Sequence, residues 1–536
     1  MQHPWVHGHR RLMGVKRILA LVAACGIVSV DDVGAQQGCK FVEGSGNLRI
    51  IDSDSGPITY VSTPNLVCPD GVRIRADSAA SFQSSNYVQL LGNVRFEDTD
   101  RRMTAQTAEY FTGVGRLQTS GNSELLQKVD SSTVRGDEMI YDRADADRVP
   151  SQLNVRGGRP TARLYMSAGS VAARTGGDTS RVPYNVAADL ILLEGDSLFR
   201  ARGQVEIYRN DLQAFGDSVE YDQAAGNLRL MANALMILNG REIKAEVITA
   251  ALPGDLVEEV EARHHAVLTA EGLRLEAPLV RVFFTDGIMN RLVAVPITHE
   301  VVVPDSPPPV EPPPTKADRS RPMGMADGFE IVADSLDMFA PGEVLERINA
   351  TGSARAKSAT RDSLNTPDTP PFARTDWMEG DTIIAMFTRV AKDSLPGIAA
   401  PDSVGEQYRI ERLMAVGEAR SFYRIEPNDS DRDRGERRLS IHYVTAAAIT
   451  LELDDGAIAK MEVRGQIEGT HAKPTLIGIP SDSITAPGDT AGADSVITTG
   501  VMGKPTRAPS PQVRSEILVV GPALQARSNR RRHATR

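Results

Sequence analysis

Along much of the chain apolar and polar residues alternate in short stretches, separated by turn formers at nearly regular distances. The pattern is fullest over residues 188–238. There Gln204-Val205-Glu206-Ile207-Tyr208 alternates with a period of two, which sends successive side chains to opposite faces of a half-buried strand. Glu194-Gly195-Asp196, Arg209-Asn210-Asp211 and residues 223–227 supply the turns. Two phrases recur. Residues 136–142 (GDEMIYD) match 216–222 (GDSVEYD) at Gly, Asp, Tyr and the final Asp, and residues 92–96 (GNVRF) match 203–207 (GQVEI). Gly92 and Gly121 stand 29 positions apart, as do Gly203 and Ala232, where alanine replaces the expected glycine. A period near thirty in alternating segments predicts two or more short strands per repeat unit, and with them a repeated all-β architecture.

The phrases fall into blocks. A first β-module is predicted over 36–166 and its continuation, or a second module, over 182–303, with a Gly/Ser-rich break at 167–181. Residues 304–327 include Pro307-Pro308-Pro309 and Pro312-Pro313-Pro314, which cannot pair within a sheet and predict an extended linker. Over 328–472 the phrases return: Ile331-Val332-Ala333-Asp334-Ser335 restates Ile74-Arg75-Ala76-Asp77-Ser78, and Gly352, Gly417 and Gly465 carry degenerate glycine phrases. Polar inserts interrupt this further module at 358–372, 393–405 and 426–437. From 473 to 536 Pro, Ser, Thr, Gly and Ala dominate, which predicts a mostly disordered tail with one candidate strand at 515–520.

Composition adds three points. A chain of 536 residues that is 41% hydrophobic and 5% aromatic, with 45 Gly and 32 Pro, suits thin elongated β-structure better than one compact globule. A net charge of -10 argues against a nucleic-acid partner, and the basic cluster at 527–536 reads as a solvated end. The N-terminus reads as an export signal over 1–35: basic Arg10, Arg11, Lys16 and Arg17, an apolar run at 18–30, then Val33-Gly34-Ala35. Met13 is an alternative start. A rival reading takes Val22-Ala23-Ala24-Cys25 as a lipobox with Cys25 lipidated, and both place the protein outside the cytoplasm, in the periplasm. Cleavage after Ala35 leaves Cys39 and Cys68 as an even pair in an oxidising compartment, so a disulfide between them is expected.

Enzyme signatures are sparse. His264 and His265 are adjacent, so on a strand they would point to opposite faces and could not share a metal, and His299, His442 and His471 are scattered. No nucleophile elbow, phosphate loop, paired metal motif or dinucleotide fingerprint occurs, so neither catalytic residue nor metal nor cofactor is assigned. Asp137 and Asp217 recur with the repeat itself, which assigns them to turns rather than to acid–base work. Tyr110, Tyr141 and Tyr221 close equivalent phrases, either as aromatic cover for the sheet or as the lining of a groove. Strands stacked in this way enclose an apolar strip built from alternate residues: Val94 and Phe96, Val205 and Ile207, Leu228 and Leu230. With one side unclosed, that strip shelters acyl chains; closed, it is a core.

The alternation of Ala-Asp or Gly-Asp phrases (Ala76-Asp77, residues 136–141 and 216–221, Ala333-Asp334) with Gly-Asn/Gln-Val phrases (92–96 and 203–207) resembles the OstA-like, LptA-type periplasmic family of lipopolysaccharide-transport proteins. The resemblance covers 71–303 well and 329–468 less well. It implies OstA-like β-jellyroll or β-solenoid modules open on one side, with lipid A acyl chains in the groove. It also implies edge-strand pairing with other envelope proteins of the transport system, or with a second copy, and no chemistry. The chain departs from the family in its greater length and Pro-rich interruption. Its tail is too short for the large barrel of an outer-membrane translocon. Two other classes stand beside this reading: a parallel β-helix carbohydrate-active enzyme, favoured by carboxylates clustered on one face, and a structural envelope solenoid with a dry core.

Overall fold

The computed structural model describes residues 39–472, except 69–70, 145–149, 166–181, 254–255, 298–319, 359–364, 366–368, 370, 391–406, 426–438 and 455–456. The export signal, the Cys25 lipobox, the Gly/Ser-rich break, most of the linker and the tail lie outside these residues. The described residues are all β: 30 strands joined by antiparallel pairing into one sheet, with short 3-10 turns between some of them.

Each long strand is bent near its middle. In Leu198–Arg209, residues 198–202 pair with 218–222 of Leu212–Asp222, residues 205–209 pair with 212–216, and the register shifts between them. Gly203 (φ 79°) and Gln204 (φ 44°) carry the chain through the left-handed region at that shift. Equivalent breaks fall between Leu91 and Val94, Met231 and Ala234, Thr351 and Ala354, and Val416 and Ala419. Each strand therefore gives one half to each of two walls, and the bulges stack into a corner ridge. Shorter strands do the same in pairs: Gln152–Arg156 and Thr161–Leu164 lie against the two halves of Thr133–Asp142. The result is a two-walled jellyroll whose pairing runs without a break from Lys40 to Ala472.

The two recurring phrases are the halves of one joint. A Cβ at Gly203 would sit 2.3 Å from Asp189 Oδ2, because the aspartate of the preceding layer lies over the glycine corner. The Asp189 N–H donates to Gly203 O at 3.0 Å, and the Asp77 N–H donates to Gly92 O at 2.8 Å. Where asparagine follows the corner it joins the clamp: Asn93 Nδ2 donates to Asp77 Oδ2 at 2.9 Å and Asn233 Nδ2 to Asp217 Oδ2 at 3.0 Å. Ala232 holds the left-handed corner (φ 58°) without being glycine. One 29-residue period is thus an Asp-corner strand and a Gly-corner strand together.

Two expectations are corrected. His264 and His265 do not sit on a regular strand; with φ 63° and 56° they form a corner, and His265 Nδ1 lies 3.4 Å from Glu246 Oε1, which replaces the aspartate. The Pro-rich stretch read as a linker to residue 327 ends sooner. Beyond Pro322 alternation resumes without proline, and Met323–Ala326 pairs with Leu273–Thr285. Cys39 and Cys68 are joined by a disulfide, their Cα atoms 4.0 Å apart, beside the pairing of Lys40–Phe41 with Asn65–Val67.

Candidate functional site

The candidate site is the space between the walls. Alternation turns Val88 and Leu90 inward from one wall and Val94 and Phe96 inward from the other, and the same rule repeats at each layer. The inward residues form one continuous apolar cluster from Leu66 to Leu451. All six residues expected to line the strip belong to it: Val94, Phe96, Val205, Ile207, Leu228 and Leu230 are at most 3% exposed. Tyr110 and Tyr141 also turn inward, each with its ring 6.0 Å from that of Phe96. Asp137 and Asp217 sit on the corner ridge, Asp137 over Gly158 and Asp217 bound by Asn233.

With the corner closing one long side, the hairpin turns of the two walls face each other along the other. Polar contacts cross this mouth. Arg101, on one wall, donates from Nη1 to Ser151 Oγ (2.8 Å) and from Nη2 to Gly195 O (3.1 Å) and Asp196 Oδ1 (2.9 Å), in turns of the other wall. Beside it the Tyr141 hydroxyl donates to Asp98 Oδ2 at 3.1 Å, and burial pushes that phenol up to about 12. Farther along, Arg241 Nη1 donates to Glu343 Oε1 at 2.9 Å and the Ile410 N–H to Asp327 Oδ2 at 2.8 Å.

Next to Arg101 the mouth admits a recess of about 400 Å³, partly continuous with solvent, lined by Leu164, Tyr165, Leu193, Leu198, Phe199 and Tyr221 among others. A second recess of about 400 Å³ lies toward the C-terminal end, between Phe329, Met378, Leu413, Tyr423, Leu451 and Ile458. Much of that space is open to solvent; the part enclosed is about 40 Å³ in the first and 30 Å³ in the second, room for a few waters and well below the range of small-molecule pockets, about 300–1,000 Å³. Around the second, Arg424 Nε donates to Asp376 Oδ1 at 2.8 Å with both side chains buried. Tyr423, His442 and Met461 are in contact, and the His442 and His471 rings are 5.5 Å apart. Burial, and then the neighbouring His471, lowers the His442 pKa. No group of three or more His, Cys, Asp or Glu side chains able to hold a metal occurs among the described residues.

No protein-family model matches the chain, and no curated protein matches it. Among solved structures it is similar to LptH from Pseudomonas aeruginosa, described as the LptA homologous periplasmic component of the conserved lipopolysaccharide transport device. The match covers 38% of this chain and 96% of that one at 10% identity, with a TM-score of 0.13. At those values it bears on neither family nor function.

Reasoning from sequence missed Arg101, Asp376 and Arg424, whose partners lie 48 to 95 positions away. Open, unpaired edges at the ends of the sheet were expected from the stacking of strands, and the structure shows which strands form them. Leu48–Ser53 pairs only with Gly56–Ser62 among the described residues and exposes Leu48 and Ile50 by more than half. At the other end, Ala457–Arg464 and Glu468–Ala472 pair only with Ser440–Asp454 among the described residues. Unpaired strand edges offer backbone groups to another sheet.

Proposed function

We propose that the protein is a non-catalytic periplasmic carrier that shelters the acyl chains of lipopolysaccharide or a related amphiphile between its walls. In this reading it passes the lipid toward the outer membrane and meets other envelope proteins, or a second copy of itself, through its sheet edges. The observation that carries it is the continuous apolar interior with a recess opening at the mouth. Sheltering apolar surface there is worth about 25 cal/mol per Å². The Asp/Gly corner grammar shared with OstA-like proteins supports the same reading, and the blocks 36–166, 182–303 and 328–472 would be its modules. The exposed strand at Leu48–Ser53, with Leu48, Ile50 and Ile51 open to solvent, supports edge pairing.

The test is photocrosslinking of the full chain in the periplasm, with a probe at Val205 or Leu230 and a control at Glu206 on the opposite face. Lipopolysaccharide adducts at the first two positions and none at the third are expected. No adduct at either interior position in a folded protein sinks the carrier reading. The second reading, a ligand-free structural solenoid, would then stand, favoured by the near-complete burial of those same residues.

A further inference from the structure

The last described strands bring four side chains to one place. Tyr423 is the direct cross-strand partner of His442, and His442 is in turn the partner of His471 in Glu468–Ala472. Cross-strand partners stand side by side on one face of a sheet, so Tyr423, His442 and His471 form a row across three strands. Val444, two positions from His442, is buried, which makes this the inward face. Met461 comes from the other wall. Residues 441–445 of Ser440–Asp454 pair with Glu468–Ala472, whereas residues 448–454 pair with Ala457–Arg464. Met461 is the partner of the buried Leu451 and packs against the core, so it also faces inward.

The row and the methionine meet. The Tyr423 hydroxyl touches His442 Nδ1 and donates to Met461 Sδ at 2.9 Å, so an imidazole nitrogen and a thioether sulfur converge on one point. The His442 and His471 rings stand 5.5 Å apart, edge to face. Metal–imidazole bonds of about 2.0–2.1 Å put two rings that share one ion about 5–6 Å apart, centre to centre. Tyr423 is buried and His471 is exposed, so the cluster opens to solvent on the His471 side. His442 and His471 alone are one donor short of a three-ligand set, and the thioether supplies the third.

We propose that His442, His471 and Met461 form a binding site for a single cuprous ion at the C-terminal end of the interior. The proposal does not depend on the carrier reading. Two neutral imidazoles and a thioether are borderline-to-soft donors that suit Cu(I); zinc sites take thiolate, imidazole or carboxylate, and calcium and magnesium demand oxygen. Met461 is unbranched and flexible, so its sulfur can close on an ion without backbone movement. His442 Nδ1 and Met461 Sδ give the ion the contacts that they otherwise make with the Tyr423 hydroxyl, and Tyr423 is a positioning residue that keeps the two donors facing each other. The bound ion ties the strand carrying His471 to the opposite wall and stabilises that end of the sheet.

The test titrates the full chain, after alkylation of free thiols, with Cu(I) against the chromophoric chelator bicinchoninate, and separately with Zn(II). One Cu(I) per chain withdrawn from the chelator, and Zn(II) bound about tenfold more weakly or worse, is expected. Met461→Leu keeps the volume and removes the sulfur; it should weaken Cu(I) binding about tenfold or more and leave Zn(II) within about twofold. His471→Gln, at an exposed position, should weaken both ions. X-ray absorption at the copper edge should show sulfur beside nitrogen in the wild type and nitrogen without sulfur in Met461→Leu. Failure to withdraw Cu(I) from the chelator overturns the site. So does a Cu(I) affinity unchanged in either variant, which assigns the ion to other donors of the chain. Zn(II) bound as tightly as Cu(I) overturns the copper assignment and marks a plain histidine pair. Should Met461→Leu fail to fold, His471→Gln and the sulfur signal of the wild type decide together.

Discussion

Two regions of the sheet are built on the same corner and differ in what they enclose. From Leu198 to Thr285 six strands of 11 to 13 residues follow one another. Their interior is purely apolar; no described polar or charged residue between Ser132 and Ser358 is buried. From Arg347 onward strands lengthen to as many as 19 residues, and Ser358, Asp376, Ser421 and Arg424 are buried among aromatic rings. Trp377 stacks on Phe422 with centres 6.1 Å apart, and Ser421 Oγ has no hydrogen-bond partner. The corner therefore fixes the path of the backbone, and the interior is free to vary. A uniform apolar strip fills one region, and a buried ion pair interrupts it in the other.

The largest effect should come from the difference itself. Asp376→Ala leaves Arg424 buried without its carboxylate and should cost about 3–5 kcal/mol in urea unfolding. Replacing both by apolar residues, Asp376→Leu with Arg424→Met, should recover most of that loss, since a well-packed apolar pair often equals a buried ion pair. A loss below about 1 kcal/mol for Asp376→Ala would mean that the pair does not set the two regions apart.

The shared corner gives the next effect, and it should be alike in both regions. Gly203→Ala and Gly417→Ala each force a Cβ to within 2.3 and 2.2 Å of the clamping aspartate oxygen at a positive φ. Each should cost roughly 1–3 kcal/mol. Ala232→Gly, at a corner already held by a non-glycine residue, should have the opposite sign and stabilise by up to about 1 kcal/mol. Unequal costs at Gly203 and Gly417 in the same unfolding assay would break the idea of one common joint.

The smallest effect distinguishes the C-terminal region by pH. His442 has its pKa lowered by burial and by His471, so the unfolded chain takes up that proton before the folded one does. Stability contributed by the neutral ring is present above the ordinary histidine value of about 6.5 and is lost as pH falls below it. The melting temperature should drop between pH 7.5 and 5.5 and drop less in His442→Phe. An unchanged slope in that variant would assign the pH response to other groups.

The corner grammar was readable from sequence because it is local. Gly203 and Asp217 stand in short phrases that repeat, and the alternation around them sets which residues face inward. Val205 and Leu230 could be placed inside for that reason. His264-His265 misled because a histidine pair does not advertise a left-handed turn; only the spacing from Ala232, about one period, carried the signal. The mouth was not readable. Arg101 meets Asp196 across 95 positions, and neither residue departs from the pattern of an ordinary solvated turn. Asp376 and Arg424 are hidden likewise: each sits at the edge of a polar insert, where charge is the common expectation.

The clamp has a direction, and that restricts how such a chain can grow. Gly92 leans on Asp77, Gly203 on Asp189, Gly352 on Asp334 and Gly417 on Asp381, each glycine on the acid of the layer before it. Adding a single strand would set acid against acid or glycine against glycine at the ridge. Length therefore changes in steps of two strands, about 9.5 Å at the usual spacing between neighbours. The ridge acts as a ruler marked in pairs, and duplication or deletion within this protein is free only at its even marks.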